Sequence, residues 1–198
     1  MSNHFFALFS RMKNINRWAL MRNTREEPLS QHCLEVAAIA HALAVIGNRR
    51  LGASYDASRA ALIGMYHDMP EIITGDMPTP VKYYNDGIRK SFGEIEKAAQ
   101  LALLDTLPED LREDYRELIM PDETTALWKL VKAADKLSAL IKCREEVSGG
   151  NREFSKAEES TYKAIKEMNC PEADIFLEEF MESFDMVLDT VLARPGEE

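Results

Sequence analysis

The stretch LWKLVKAADKL, residues 127–137, indicates the fold class, because its apolar residues recur at the spacing of one helix face. The pattern predicts a long helix over residues 122–147 that ends at Gly149 and Gly150, since glycine favours helix termination. Asp135 falls on the same face and would be costly to bury without a cation or hydrogen-bond donors. The apolar stripe consists of Leu127, Leu130, Val131, Ala134 and Leu137.

The rest of the chain shows the same periodicity, and no clean alternation of apolar and polar residues is long enough to suggest a strand. We therefore predict an all-α protein. A second helix, 31–47, is expected to be capped by Ser30, and a third is expected to begin after Asp56 and reach His67. Further predicted helices cover 5–12, 92–107, 109–119, 153–168 and 171–192, and the predicted apolar face of the second helix holds Leu34, Ala37, Ala38, His41 and Val45.

The least regular part of the chain is MPEIITGDMPTPV, residues 69–81. Three prolines and one glycine within these thirteen residues are incompatible with a single helix. Irregular segments tethered between helices often carry functional side chains. We therefore expect binding or catalytic groups in this segment.

The composition is that of an acidic globular protein, with 198 residues, 45% of them hydrophobic, and a formal net charge of −10. A chain of this length can form an adequate core without disulfides, so we predict one domain over residues 1–198. The negative charge argues against a nucleic-acid polymer as partner, because that binding depends on many Lys and Arg side chains that neutralise phosphates.

Cysteine usage and hydropathy both point to the cytoplasm. Cys33, Cys143 and Cys170 are far apart and form no CxxC pair, which suggests neither a disulfide framework nor a thiolate metal site. The longest apolar run, 36–46, is interrupted by His41 and is shorter than the roughly 20 residues of a membrane-spanning helix. We expect a cytoplasmic protein without a membrane partner.

The first 25 residues are basic and contain no acid, so the remainder of the chain carries 19 − 34 = −15. A mitochondrial transit peptide has a similar composition. This segment is poor in serine, however, and contains bulky aromatic residues that suit a packed helix. Its basic residues are Arg11, Lys13, Arg17, Arg22 and Arg25, and its aromatic residues are Phe5, Phe6, Phe9 and Trp18.

Four residues form a candidate metal site when their helices are brought together. His67 and Asp68 directly precede the irregular segment, and Glu71 follows His67 by four residues, which at helical spacing faces the same side. Two imidazoles and two carboxylates suit one borderline divalent cation such as Mn, Fe, Co, Ni or Zn. Taken singly, a histidine of this kind could be a core residue and the aspartate a salt-bridge partner. The candidate ligands are His32, His67, Asp68 and Asp135.

The order of these residues in an all-helical chain resembles the HD superfamily of metal-dependent phosphohydrolases. Further motifs resemble the bacterial 5′-deoxynucleotidase family over essentially the whole chain. The stretch Gly75–Lys82 is much more specific than the His-Asp doublet, while Gln31 and Pro70 depart from the family's usual residues. The matching motifs are Asn16-Arg17-Trp18, Ser30-Gln31-His32, Tyr66-His67-Asp68, Thr74 to Lys82 and Ala134-Asp135.

The resemblance implies a compact helical HD-domain fold and hydrolysis of deoxyribonucleoside 5′-monophosphates by a divalent-metal-activated water, with Co or Mn as candidate metals. It implies catalytic roles for Glu71 and Arg17, contact of Asp76 with the sugar 3′-hydroxyl, and a homodimer. The apolar carboxyl-terminal helix could contribute to that dimer. The implied substrate-binding residues are Arg17, Trp18, Asp76, Met77, Pro78, Thr79 and Lys82.

Other functions share parts of this pattern. A two-metal HD phosphodiesterase would need further histidines, and His41, nine residues after His32, is about half a turn out of phase with it. A nucleotide pyrophosphohydrolase could use the same mononuclear ligands, because ligands alone do not choose the substrate. A non-catalytic nucleotide-binding module could hold the metal structurally, although Glu71 would then have no use.

Overall fold

The computed structural model describes residues 3–82 and 84–192, and within them it confirms the all-α class. Between residues 3 and 192, Tyr83 excepted, the only extended pairing is an isolated bridge between Asn16 and Pro28. Short 3-10 helices occur at Ser10–Asn14, Glu109–Leu111, Arg152–Phe154 and Met181–Asp185. The α-helices are α1 (Phe5–Phe9), α2 (Leu29–Arg50), α3 (Ala57–Tyr66), α4 (Glu71–Thr74), α5 (Thr79–Lys82), α6 (Asp86–Asp105), α7 (Arg112–Ile119), α8 (Ala126–Ser148), α9 (Ser155–Glu167), α10 (Pro171–Glu179) and α11 (Leu188–Leu192).

Helices α2, α3 and α8 pack against one another at the centre of the fold. The approach of α3 to α2 is close because Gly64 has no side chain: an added Cβ would lie 3.0 Å from the Cα of Ala37. This contact brings the first turn of α2 and the end of α3 together. The predicted ligands His32 and His67 lie at these two places.

The apolar face predicted for α2 was largely wrong. Ala37 is buried, but the other four residues of that face are exposed. Apolar residues occur around most of this helix, so periodicity alone could not select the side that α3 and α8 cover. The exposed residues are Leu34, Ala38, His41 and Val45, and the buried apolar ones are Leu29, Cys33, Val36, Ala37, Ile39, Ala40, Leu43, Ala44 and Ile46.

Helix α2 is also more apolar over its length than the short run 36–46 suggested. It has 22 residues, and its best window has a mean hydropathy of 1.5, so by length and composition alone it could cross a membrane. Of that window, 56% is buried inside the protein, which is the pattern of a core helix.

Several predicted helix boundaries differ from the structure, among them the start of α6 at Asp86 rather than 92 and the start of α8 at Ala126 rather than 122. Helix α2 begins at Leu29 after Pro28, and Ser30 lies inside its first turn rather than capping it. The single helix predicted over 171–192 is three shorter segments, because Met181 turns into the core and Asp185 pairs with Arg144 at the end of α8. The predicted cap Asp56 is confirmed, since its carboxylate accepts a hydrogen bond from the Arg59 backbone N–H.

Residues 15–29, here called the strap, connect the amino-terminal helix to α2. Backbone hydrogen bonds close the strap at its base, from Arg17 N–H to Glu27 O and from Leu29 N–H to Ile15 O. The tip is held by Glu146 of α8, which accepts hydrogen bonds from the backbone and hydroxyl of Thr24. The strap is therefore fixed at both ends, next to the start of α2.

Residues 67–82 run from the end of α3 past the same place. His67 to Pro70 form a turn, after which α4 and α5 are separated by Gly75, whose φ of +73° favours glycine. Helix α3 ends at Tyr66, and Glu71 is the first residue of α4. His67 and Glu71 therefore do not lie on one helix, and the prediction from their spacing was wrong.

Candidate active site

Four side chains from three parts of the chain converge at the centre of the fold. His32, His67, Asp68 and Asp135 each offer one ligand atom, and these atoms all lie within 4.8 Å of one another. The Nε2 atom of His32 lies 3.3 Å from Asp135 Oδ1 and 3.6 Å from Asp68 Oδ2. The Nε2 atom of His67 lies 3.0 Å from Asp68 Oδ2 and 4.0 Å from Asp135 Oδ1. The structure therefore brings together all four residues that the sequence grouped.

The two imidazoles turn the same ring atom toward this cluster. The Nε2 atoms of His32 and His67 are buried and have no hydrogen-bond partner. On the other side of its ring, His67 Nδ1 lies 2.8 Å from the Gly64 carbonyl, which can accept a hydrogen bond from Nδ1–H and so keeps Nε2 turned toward the cluster. His32 Nδ1 lies 3.0 Å from the Ser138 hydroxyl, and that hydroxyl donates to Glu35.

This arrangement fits a divalent transition metal. Two neutral imidazole nitrogens and two carboxylate oxygens form a donor set for a borderline cation, and a cation would give the orphaned nitrogens the partner they lack. His41 is exposed on the outer side of α2, so it does not add a ligand to the cluster. The donor set is that of one ion rather than two.

The electrostatics of the cluster also favour a cation. Burial opposes the charged forms of Asp68 and Asp135, yet the facing histidines, together with Lys132 beside Asp135, hold the pKa of both carboxyls well below the usual value. Burial likewise opposes protonation of His67, but Asp68 raises its pKa well above the usual value. The neighbouring carboxylate thus favours a positively charged, protonated His67, and a bound metal ion would supply that positive charge instead.

Asp135 has more protein contacts than the sequence suggested. Lys132, one turn earlier on α8, donates to Asp135 Oδ2 at 2.8 Å, and Arg17 lies 4.0 Å from Asp135 Oδ1. One oxygen of Asp135 is therefore engaged by a lysine, while the other faces the two histidines. The expectation that this carboxylate has no partner other than a metal was incomplete.

Glu71 lies beside the four residues with an unsatisfied oxygen. Its Oε2 atom is buried and has no hydrogen-bond partner. Burial, followed by the charges of Asp68 and Asp76, raises the pKa of Glu71 to about 9. Such a carboxyl at a cluster of metal-ligand type is typical of a group that handles a proton or a water molecule.

Arg17 and Trp18 reach the site from the strap. Arg17 contacts His32 Nδ1, and its guanidinium lies 3.4 Å from both carboxylate oxygens of Glu27. Burial disfavours the charged guanidinium, but Glu27 and Asp135 outweigh this and raise the pKa of Arg17. The indole Nε1 of Trp18 donates to Glu27 Oε2 at 2.8 Å, and the ring packs against Phe154 with centroids 5.4 Å apart.

The remaining predicted binding residues lie in the segment 75–82. Asp76 is half-buried, and burial raises its pKa while Arg17 and the Trp18 backbone N–H oppose that rise. Lys82 donates to Glu96 of α6 at 2.7 Å. Met77 and Pro78 are half-buried, and the side chain of Thr79 lies outside the described part of the chain.

Sequence reasoning missed three residues of the site: Glu27, Glu35 and Ser138. Glu27 is 5% exposed and touches both Arg17 and Trp18, although nothing in its polar surroundings marks it out. Ser138 carried a signal, because it lies one turn after Asp135 on a stripe that is otherwise apolar. A second polar residue on that stripe indicates that the stripe faces something polar.

Comparison with known sequences gives a consistent result. A family model described as 5′-deoxynucleotidase YfbR-like matches residues 4–184. A 5′-deoxynucleotidase of Photorhabdus laumondii is 47% identical over 190 residues, covering 96% of this chain and 96% of that protein. The match thus extends over the strap, the four clustered residues and the irregular segment.

Solved structures share the fold. An HD-domain phosphohydrolase from Listeria innocua has a TM-score of 0.81 and 24% identity, covering 93% of this chain and 90% of that one. DatZ, an HD phosphohydrolase of cyanophage S-2L bound to dA and one catalytic Zn²⁺ ion, has a TM-score of 0.65 and 16% identity, with 89% and 96% covered. These likenesses show that the helical core is that of the HD phosphohydrolases.

Proposed function

The chain belongs to the YfbR-like 5′-deoxynucleotidase family, and from that premise we propose that it hydrolyses deoxyribonucleoside 5′-monophosphates to the deoxyribonucleoside and inorganic phosphate. The observation that carries this proposal is the cluster of two buried imidazoles and two half-buried carboxylates, in which neither Nε2 atom makes a hydrogen bond, next to Glu71 and Arg17. A binding module would not need an unsatisfied, proton-handling carboxyl at that place.

The proposed ligands of the metal are His32, His67, Asp68 and Asp135, and the proposed metal is one divalent transition-metal cation such as Co or Mn. A divalent ion held there supplies positive charge that offsets the phosphate and lowers the pKa of water. Ser138 and the Gly64 carbonyl keep each imidazole in the orientation that presents Nε2, so the ligands are prearranged.

Glu71 is the proposed general base. A divalent cation at the neighbouring cluster would lower the pKa of Glu71 from about 9 and so favour its carboxylate form. In that form the unpaired Oε2 atom would orient the attacking water and accept its proton as the water attacks phosphorus in line with the leaving 5′-oxygen. The proton can then pass to that oxygen, which leaves as the nucleoside hydroxyl. Arg17 is the proposed phosphate ligand, because its planar guanidinium can pair with two phosphate oxygens.

Trp18 and Asp76 are the proposed sugar-recognition residues. The Trp18 backbone N–H lies close enough to Asp76 to lower the pKa of its carboxyl, so this part of the strap lies next to Asp76. Asp76 would accept a hydrogen bond from the 3′-hydroxyl, and the indole would close the space beside C2′. A ribose 2′-hydroxyl pressed against an indole would lose water without gaining a partner, which disfavours ribonucleotides. For Met77, Pro78, Thr79 and Lys82 we propose a supporting part in substrate binding.

A cytoplasmic homodimer is the proposed state of the protein. The three cysteines are free and buried, as expected in a reducing compartment. The carboxyl-terminal region exposes a set of large apolar side chains that a second copy could cover. Light scattering after gel filtration would measure the mass directly. The exposed residues are Phe180, Phe184, Met186, Val187, Leu188, Val191 and Leu192.

The experiment that tests this function is phosphate release from paired ribo- and deoxyribonucleoside monophosphates with several divalent metals. We expect 5′-deoxyribonucleotides to be cleaved well across several bases, and ribonucleotides and 3′-phosphates poorly. Equal kcat/KM for AMP and dAMP would exclude the deoxynucleotidase activity. Release of pyrophosphate from triphosphates without monophosphate cleavage would favour the pyrophosphohydrolase alternative.

A further inference from the structure

We propose that Glu27 is a positioning residue through which the strap sets both the phosphate grip of Arg17 and the orientation of the Trp18 indole. The proposal rests on the function proposed above, since it assigns a support to two of its binding residues. Phosphate binding then depends on the contact of Glu27 with Arg17, and sugar discrimination depends on its hydrogen bond with Trp18.

Glu27 contacts Arg17 and Trp18, and its Oε1 atom also lies 3.8 Å from His32 Nδ1. Its carboxylate is 5% exposed, accepts from Trp18 Nε1 at 2.8 Å, and lies 3.4 Å from Arg17 Nη1 through both oxygens. Its backbone carbonyl also accepts from the Arg17 N–H at 3.0 Å. Glu27 is thus bound to Arg17 by main chain and side chain together, and it fixes the far end of the indole.

Trp18 is held in a conformation that it would not adopt freely. Its φ is +57°, in the left-handed region that bulky residues seldom occupy. The Trp18 carbonyl accepts hydrogen bonds from Asn23 Nδ2 at 3.1 Å and from the Met21 backbone N–H at 2.9 Å. Backbone strain of this kind persists only where the surroundings determine the geometry, and here the indole is held by its bond to Glu27 and by packing against Phe154.

The two contributions of Glu27 can be separated chemically. A glutamine amide oxygen still accepts from an indole N–H, but it carries no charge for the Arg17 guanidinium. Alanine removes both the acceptor and the charge. Trp18→Phe replaces the indole with a smaller aromatic ring that has no N–H, so it removes the bond to Glu27 while leaving the Arg17–Glu27 pair in place.

The test uses the full chain with Glu27→Gln, Glu27→Ala and Trp18→Phe, and with exposed Glu26→Ala as the matched control. Each enzyme is assayed with dAMP and AMP for kcat and KM separately. The chain has two tryptophans, so Trp128→Phe leaves Trp18 as the only indole emitter. Its emission and acrylamide quenching are then measured in metal-free protein without substrate, for the Glu26 and Glu27 variants.

We expect Glu27→Gln to keep the Trp18 emission and the dAMP/AMP ratio while KM for dAMP rises roughly tenfold, the size of a lost charged hydrogen bond. Glu27→Ala should also expose the indole to quencher and reduce the ratio about fivefold or more. Trp18→Phe should reduce the ratio with KM for dAMP changed less than in Glu27→Gln. Glu26→Ala should match wild type throughout.

The proposal is overturned when Glu27→Ala, folded by its thermal transition, leaves both the emission and the ratio unchanged. It is equally overturned when Glu27→Gln reduces the ratio as far as alanine does, or when Trp18→Phe keeps the full ratio. If Glu27→Ala does not fold, the Gln and Phe variants still decide. Wild-type protein without preference for dAMP would refute the proposed function, whereas the quenching of metal-free Trp18 would still test Glu27.

Discussion

Two buried polar clusters lie along one face of α8, and they differ in how completely their atoms are paired. Asp135 and Ser138 belong to the candidate metal site, and Lys142 and Glu146, on the following turns, hold the tip of the strap. Glu146 accepts hydrogen bonds from Lys142, Asn151 and the strap backbone, and its side chain is 1% exposed. In the candidate metal site, by contrast, two imidazole nitrogens make no hydrogen bond, although carboxylate oxygens lie 3.0 and 3.3 Å from them.

The difference teaches how to distinguish a structural buried charge from a functional one. A buried ion pair whose donors and acceptors are all used has no capacity left for a ligand, so it fixes geometry. A buried cluster with unpaired nitrogens carries a cost that a bound cation removes. Mutations in the fully paired cluster around Glu146 should therefore change stability. Mutations in the candidate metal site should change metal content and turnover.

The largest expected effect is loss of all activity on replacing Asp135 by Ala or Asn. Asparagine keeps the volume but removes the anionic oxygen that faces both histidines, so metal binding should be lost as well. Elemental analysis of purified protein and phosphate release from dAMP measure the two effects. Full stoichiometric metal in Asp135→Ala protein would contradict its assignment as a ligand.

Glu71→Ala should separate catalysis from metal binding within the same cluster. Because Glu71 is proposed to act on water rather than on the metal, the variant should keep its metal and a KM near wild type. Loss of a general base typically lowers kcat about 10²–10⁴-fold. Metal and activity lost together would show that Glu71 is instead a ligand.

The sequence grouped the four candidate ligands that the structure brings together, because they have a chemical signature. His67-Asp68 beside a proline-rich segment, and Asp135 on an apolar stripe, are anomalies that a metal explains together. Glu27 could not be found in this way, because an acidic residue in a polar stretch of sequence carries no signal of its own. Only the folded strap shows that it lies against Arg17. The buried side of α2 was also beyond the sequence, since an almost wholly apolar helix does not say which face its neighbours cover.

Trp18→Ala should change substrate choice without disturbing the ligands. We expect the dAMP/AMP preference to fall about 5- to 150-fold, the range for an uncompensated buried hydroxyl, with metal content unchanged. Kinetics on the paired nucleotides measure this. Asp76→Ala is the companion variant and should raise KM for dAMP while keeping the metal. A Trp18→Ala enzyme with unaltered preference would assign the indole to packing against Phe154.

The smallest expected effect belongs to the fully paired cluster and appears in stability rather than in chemistry. Hydrogen bonds from Lys142, Asn151 and Thr24 outweigh burial and lower the pKa of Glu146 to about 2. A carboxyl whose pKa is lower in the folded state stabilises the fold above its unfolded value of about 4.5, and this stabilisation is lost as the pH falls from about 4.5 toward 2.

Urea unfolding of metal-free wild type and Glu146→Gln across this pH range measures the contribution, because other carboxyls cancel in the difference. Wild type should exceed the variant by on the order of 2 kcal/mol at pH 6, and the gap should close toward pH 2. At neutral pH the variant should still bind one equivalent of metal. A gap independent of pH would mean that Glu146 is not the titrating group, and loss of metal would mean that the two clusters on α8 are not separate in function.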